Sequence, residues 1–193
     1  MKQKQDAEDE ADRCAQRLDR ANRLVNSLGS ESERWQNAIV QTGEQIELVS
    51  GDVLLAASFV SYVGPFNKQY RDEIIAGNFV KFFQQNGIPF SPAANPLASL
   101  TNEAVVAEWN NDKLPSDRVS VENGAILSNS ARYPLIIDPQ MQGILWLRTK
   151  ERNNDLQVTR LTNPKMVKVL ELAIESGKPV LMENLMNSID AVI

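Results

Sequence analysis

An α/β protein with a long N-terminal coiled-coil helix is the fold class the sequence predicts, with a helical subdomain between the coil and a partial parallel sheet. A heptad apolar repeat runs through residues 1–63. A proline-rich stretch from Gly87 to Pro96 then interrupts the chain. Beyond Asn110, short β-like apolar runs alternate with helical periodicity, the order expected of parallel strands joined by right-handed crossovers. These patterns divide the 193 residues into a coil over 1–52, a helical subdomain and linker over 53–96, and an α/β part over 97–193.

The coil is read from spacing. Ala7, Ala11, Cys14, Leu18, Ala21, Val25 and Leu28 recur at alternating intervals of four and three, and the register continues through Ser32, Trp35, Ile39, Thr42, Ile46, Val49, Val53, Ala56 and Val60. That is the a/d seam of a coiled coil, with Asp6, Glu10, Arg13, Arg17 and Arg20 on the outer faces. The first knobs are small, so the seam calls for a partner helix supplied from elsewhere; a solvated single helix or a bundle helix is the alternative. Cys14 lies on the seam, where it packs as a small apolar residue rather than acting as a redox centre. Trp35 is oversized for a regular dimer and suggests contact with another surface. Gly29 costs about 1 kcal/mol against Ala and is a candidate kink or break. At Gly51 and Asp52 the narrow stripe gives way to an apolar run from Val53 to Val63, which should enter a globular body before Gly64-Pro65 ends it.

A helix is expected over about Lys68 to Gln85, with a break at Gly77-Asn78, and a short one from Asn102 to Trp109, started by Thr101 and Asn102. Glu122-Asn123-Gly124 reads as a turn, since Asn-Gly suits positive φ. Pro134-Leu-Ile-Ile137 is an apolar run fit for a strand covered on both faces. A helix over Ile144 to Glu151 follows, then a strand over Leu156 to Leu161. Asn163-Pro164 opens another helix, with Val167, Leu170 and Ile174 inward and Gly177 closing it. Pro179 to Met182 is a second buried strand.

The strand, turn and helix around Asp138 repeat the layout of phosphate-cradling P-loops, but the chemistry is absent. A working loop, G-x-x-x-x-G-K-[ST], needs glycines for close backbone approach, a Lys against the outer phosphates and a hydroxyl for Mg²⁺. Asp138, Pro139, Gln140, Met141 and Gln142 fill the turn, and no Lys-Ser or Lys-Thr pair follows Gly143. Pro139 has no N–H, and Asp138 would repel phosphate; its better role is to cap the following helix. Glu183-Asn184 stands where a Walker B strand would end in an acidic pair, with a single carboxylate and an amide instead. No catalytic residue, bound cofactor or metal is therefore expected here.

Composition narrows the function classes. A net charge of −5 argues against a general nucleic-acid binder. The absence of histidine removes the usual acid–base residue and the commonest transition-metal ligand. A single cysteine fits a reducing compartment. Neither a secretory leader nor an uninterrupted run of about 18 apolar residues occurs, so no membrane association is expected.

Leu114-Pro-Ser-Asp117, Ser120-Val-Glu-Asn-Gly124 and Arg132-Tyr-Pro-Leu-Ile-Ile-Asp-Pro-Gln140 together resemble the dynein heavy chain family, at the start of its fifth AAA+ module. Arg34-Trp35, Gly51-Asp-Val-Leu-Leu-Ala-Ala56 and Ser61-Tyr-Val-Gly-Pro-Phe66 resemble the returning stalk helix and its descent into the fourth module. Gln140 and Trp146-Leu-Arg148 look axonemal. The family usually carries Gly where Met141 stands, and tends to have Gly where Lys113 stands. The resemblance implies a segment of an ATP-driven, minus-end-directed microtubule motor of cilia or flagella, linking the stalk to the ring. It implies ATP and Mg in other modules of the motor. Its implied partners are the outgoing stalk helix, neighbouring AAA+ modules, the microtubule at the stalk tip, and intermediate and light chains, with a location in cytoplasm and cytoskeleton. Met1 falls mid-coil and Ile193 mid-module, so a longer product is expected. A stand-alone P-loop-like NTPase and a coiled-coil adaptor are the alternatives.

Overall fold

A computed structural model describes residues 2–185. The side chains of Asp6 and Ala7, part of the expected coil pattern, lie outside the described ones. The chain forms two units, Met1–Asp52 with Phe82–Ala94, and Val53–Lys81 with Asn95–Ile193.

The first unit is built on helix α1 (Lys2–Ser58). It runs without interruption through Gly29, contrary to the expected kink, because about 1 kcal/mol is too little to break a ladder of hydrogen bonds that otherwise continues. The seam residues Leu18, Val25, Leu28, Trp35, Ile39, Ile46 and Val49 are exposed along it. Gly51, by contrast, is buried: a Cβ there would lie 2.1 Å from the Pro89 carbonyl oxygen. The same loop is fastened by Asp52, whose carboxylate accepts the Ser91 N–H at 2.8 Å and the Ser91 hydroxyl. Phe83 packs edge-on against Phe90 at 5.8 Å.

In the second unit the end of α1 changes its buried face. The expected seam position Val53 is 54% exposed, whereas Leu55 and Phe59 are 1% and 0% exposed. Leu55, Phe59 and Val63 recur every four residues, and of the expected seam Ala56 is buried with them at 4% exposed, so packing selects a stripe that overlaps the heptad seam only in part. Phe59–Val63 is a π-helical segment that packs on α6 (Arg118–Asn129). One window of α1 is apolar enough, by length and composition alone, to cross a membrane, although the sequence holds no uninterrupted apolar run. That window is 28% buried.

Helix α2 (Lys68–Glu73) is capped by Asn67, whose side chain accepts the Tyr70 N–H at 3.1 Å. The expected break at Gly77-Asn78 is instead a π-helical widening over Ile74–Val80, followed by α3 (Lys81–Gln85). The short helix α4 (Leu97–Leu100) packs on α6. Helix α5 (Glu103–Asn111) starts as the sequence suggested, with Asn102 accepting the Val105 N–H at 2.9 Å.

Glu122-Asn123-Gly124 is not a turn but the middle of α6. Gly124 serves close packing rather than positive φ, since a Cβ would lie 3.1 Å from Leu114 and 3.2 Å from Trp109. Asp117 starts α6 by accepting the Ser120 N–H at 3.1 Å. Those bonds, the Ser120 hydroxyl foremost, hold the Asp117 carboxyl below the usual range. The core beside it gathers Trp109, Leu114, Val121, Ala125 and Trp146, the two indoles meeting edge-to-face at 5.8 Å.

Helix α7 (Gln142–Lys150) leads through a 3₁₀ turn (Glu151–Asn154) into strand β1 (Gln157–Arg160). Helix α8 (Met166–Ser176) ends at Gly177, whose φ of 64° is the left-handed cap expected of glycine. Strand β2 (Val180–Glu183) pairs parallel with β1, from Gln157 opposite Val180 to Arg160 opposite Glu183. Three expectations shift. Helix α8 starts at Met166 rather than Pro164, and it buries Ala173 while Val167 and Ile174 are exposed. Pro134–Ile137 is not a paired strand: Leu135 and Ile137 are 68% and 88% exposed. An apolar run becomes a strand only when an adjacent edge offers its hydrogen bonds, and the sheet among the described residues contains β1 and β2 alone.

Candidate functional site

The P-loop-like turn is closed by its own acid. Asp138 accepts the Gln142 N–H on Oδ1 at 3.1 Å and the Ile144 N–H on Oδ2 at 3.0 Å. These are the α7 N-terminal donors that a P-loop would turn toward phosphate, so the carboxylate stands in for the anion. The capping role expected of Asp138 holds, except that α7 begins at Gln142 rather than near Gln140. Met141 sits at the N-cap with φ 59° and ψ 23°, a left-handed geometry that favours glycine. Lys113, the other position where the resembled family tends to have glycine, also has a positive φ, 81°. Gln140 is exposed beside Pro139, and Gly143 lies against Asp138, where a Cβ would stand 3.4 Å from Oδ2.

Glu183, at the end of β2, is 9% exposed and meets two arginines. Arg148 of α7 bonds Oε1 and Arg160 of β1 lies 3.3 Å from Oε2. Burial pushes the Glu183 carboxyl up, but the hydrogen bonds and charges of Arg148 and Arg160 outweigh it and hold the group below its ordinary range. A carboxylate neutralised in this way is poorly placed to hold a cation. Asn184 follows with φ 56°. Asp138 and Glu183 thus each engage partners of their own: backbone donors for one, guanidinium groups for the other.

A second polar cluster was not anticipated. Arg71 of α2 is 3% exposed, and Glu122 of α6 is 2% exposed. Arg71 donates to Glu122 Oε2 at 2.9 Å and to Asn123 Oδ1 at 2.7 Å. It also donates to the carbonyls of Gly64 at 2.9 Å and Phe66 at 2.8 Å, just beyond the π-helical end of α1. Arg118 completes the network, bonding Glu122 Oε1 at 2.7 Å and Asp72 at 2.6 Å. A buried pair 51 residues apart leaves no local signal in the sequence. Cys14, on the expected seam, is exposed, and so is Trp35.

Residues 1–83 match a family profile described as the microtubule-binding stalk of dynein motor, and residues 107–193 match one described as ATP-binding dynein motor region. The chain is 46% identical over 185 residues, 95% of its length, to the dynein alpha chain of the flagellar outer arm from Chlamydomonas reinhardtii. It is 42% identical over 186 residues, again 95% of its length, to human dynein axonemal heavy chain 9. It is 44% identical over 186 residues to a ciliary dynein beta chain from Tripneustes gratilla. The chain spans 4% of the length of each of these relatives.

Proposed function

The chain belongs to the dynein heavy chain family, and on that premise we propose that it couples the microtubule-binding stalk to the AAA+ ring without turning over nucleotide itself. One observation carries the reading. Helix α1 leaves an apolar stripe exposed from Leu18 to Val49 and then, in the same helix, buries Leu55 and Ala56, with Phe59 buried just beyond its end. A helix that is anchored at one end and open along its seam is suited to take a partner helix and to pass axial strain into a folded body. The outgoing stalk helix of the same heavy chain is the occupant, and residues 1–52, 53–96 and 97–193 correspond to stalk, end of the fourth module and start of the fifth. Asp138 on its helix donors and Glu183 on its arginines support an inert local site, with ATP and Mg acting in other modules. Microtubules, neighbouring ring modules, and intermediate and light chains are the partners, in the cytoskeleton of a cilium or flagellum.

The seam supplies the test. Small knobs at Ala11, Cys14 and Ala21 raise low barriers to slippage between registers. Replacing all three with Leu in the complete motor should deepen the knobs, each adding on the order of 1 kcal/mol where the partner has room. The expected result is microtubule affinity that no longer follows nucleotide state, while ATP turnover continues. A triple variant whose affinities with and without ATP differ as much as the parent's removes the reading.

A further inference from the structure

We propose that Ser91 is a phosphorylation site for a proline-directed protein kinase, and that a phosphate there opens the clasp holding the 87–96 loop on α1. The site stands independently of the coupling role, since it concerns one contact inside the first unit. Ser91-Pro92 is the one place in the 193 residues where a serine or threonine precedes proline. Proline brings no backbone N–H, and a kinase groove that offers no acceptor at that position selects for it.

The structure puts the hydroxyl of that dipeptide on the contact that fastens the loop. Asp52 accepts the Ser91 N–H on Oδ1 at 2.8 Å and the Ser91 hydroxyl on Oδ2. Beside it the loop lies directly on the helix: a Cβ at Gly51 would stand 2.1 Å from the Pro89 carbonyl oxygen and 2.8 Å from the Phe90 Cβ. The loop is open to a modifying enzyme, with Pro89, Pro92 and Ala93 exposed and Ser91 half-buried.

Phosphoryl transfer turns the clasp against itself. Ser91 Oγ bonds to the γ-phosphorus of ATP, and the bond from that phosphorus to the β,γ-bridging oxygen breaks. ADP leaves, and the hydroxyl proton passes to the base of the kinase. A donor to Asp52 thus becomes a group of about −1.5 to −2 charge, rich in acceptors, facing a carboxylate that only accepts. Neither element supplies a cation to take it up, because residues 35–67 and 82–96 contain no Lys or Arg. Repulsion at hydrogen-bond distance therefore breaks both bonds to Asp52 instead of docking the phosphate. The start of the loop keeps its own ties: the Ile88 N–H donates to the Phe83 carbonyl at 3.0 Å, and Phe90 meets Phe83 at 5.8 Å. The opening is local, with residues 91–94 leaving the helix.

The test treats the full-length heavy chain with a proline-directed serine/threonine kinase and ATP, and reads Ser91 by mass spectrometry. Phosphate on Ser91 is the expected result, and its absence after extended incubation overturns the site. Because the clasp must open before the kinase grips the hydroxyl, Asp52→Asn, which weakens it, should be modified at least about threefold faster. An equal or slower rate overturns the proposal. Hydrogen exchange then reads the release. Amides of residues 90–94 should exchange about tenfold faster in the phosphorylated parent than in the unmodified one. The factor should be smaller in phosphorylated Asp52→Asn, where no carboxylate repels the phosphate. Unchanged exchange in the parent, or an equal factor in both chains, overturns the proposal. Ser91→Ala given the same treatment should show no acceleration; one as large as the parent's assigns the opening to phosphate elsewhere and overturns it as well. Should Asp52→Asn not fold, exchange in the parent with and without phosphate, set against Ser91→Ala, decides.

Discussion

Two acids stand where phosphate chemistry would be performed, and each is already satisfied by the protein. Asp138 takes the donors of α7, and Glu183 takes Arg148 and Arg160. The folded-state carboxyl of Glu183 is depressed, so its contribution to stability is complete above about pH 4.5, its ordinary value, and is lost as pH falls through the depressed one. Glu183→Gln should therefore lower stability at neutral pH by about 1–2 kcal/mol, the arginines being half exposed and screened. The difference from the parent should shrink as the pH falls below about 4.5; denaturant melts at pH 7 and in acid check it, and a loss equal at both would count against the ion pairs. Lys113 and Met141 carry the opposite liability. Both have positive φ, which costs an L-residue about 1–2 kcal/mol and glycine little. Allowing for the greater freedom of glycine in the unfolded chain, Lys113→Gly and Met141→Gly should each stabilise by about 0.5–1 kcal/mol. Unchanged or lower denaturation midpoints in both variants would contradict the strain argument.

Within α1, two glycines with the same helix propensity have opposite surroundings. Gly29 has no atom within 4 Å of an added Cβ, whereas at Gly51 that atom would meet the Pro89 carbonyl oxygen at 2.1 Å. Gly29→Ala should gain up to about 1 kcal/mol from propensity alone. Gly51→Ala gains the same propensity but must displace backbone, for a net loss on the order of 1–2 kcal/mol. Thermal melts of the two variants should thus move in opposite directions; a stabilised Gly51→Ala would show that the 87–96 loop does not press on the helix as described. The contrast explains what was legible in this element. Heptad spacing predicted α1, its apolar stripe and the change of pattern at Gly51, but it read Gly29 as a possible break and gave no sign of the close contact at Gly51, because a glycine's meaning depends on what lies opposite. The same limit misread Gly124: Asn123-Gly124 has turn chemistry, yet the contact with Trp109 and Leu114 makes the glycine a packing residue inside α6.

At the scale of the molecule, the site arrangement predicts weak nucleotide affinity. The 193-residue chain should bind ATP–Mg²⁺ no better than millimolar by calorimetry, because Asp138 occupies two of the α7 donors, Pro139 offers none and no Lys-Ser or Lys-Thr pair follows Gly143. Micromolar binding that disappears in Glu183→Gln would show a working site and defeat the prediction. The α/β order was readable in the chain as far as β1, α8 and β2, whose parallel pairing matches the expected crossover. The remaining expected strand, 134–137, was not realised as a paired element, since strand formation depends on a neighbour and not on the run's own apolarity.

The sequence by itself determined the long helix, its exposed seam, the proline-rich interruption, the capping role of Asp138 and the family to which the motifs belong. Each of these is written in spacings of a few residues, where periodicity and capping chemistry act locally. Tertiary structure alone decided which stripe of α1 enters the body, that Glu122 lies in a helix, and that Arg71 and Glu122 meet across 51 residues. It also decided that Glu183 meets Arg148 and Arg160 rather than standing free. Those outcomes are set by packing and by the need to pair buried charge, which depend on distant segments arriving at one place.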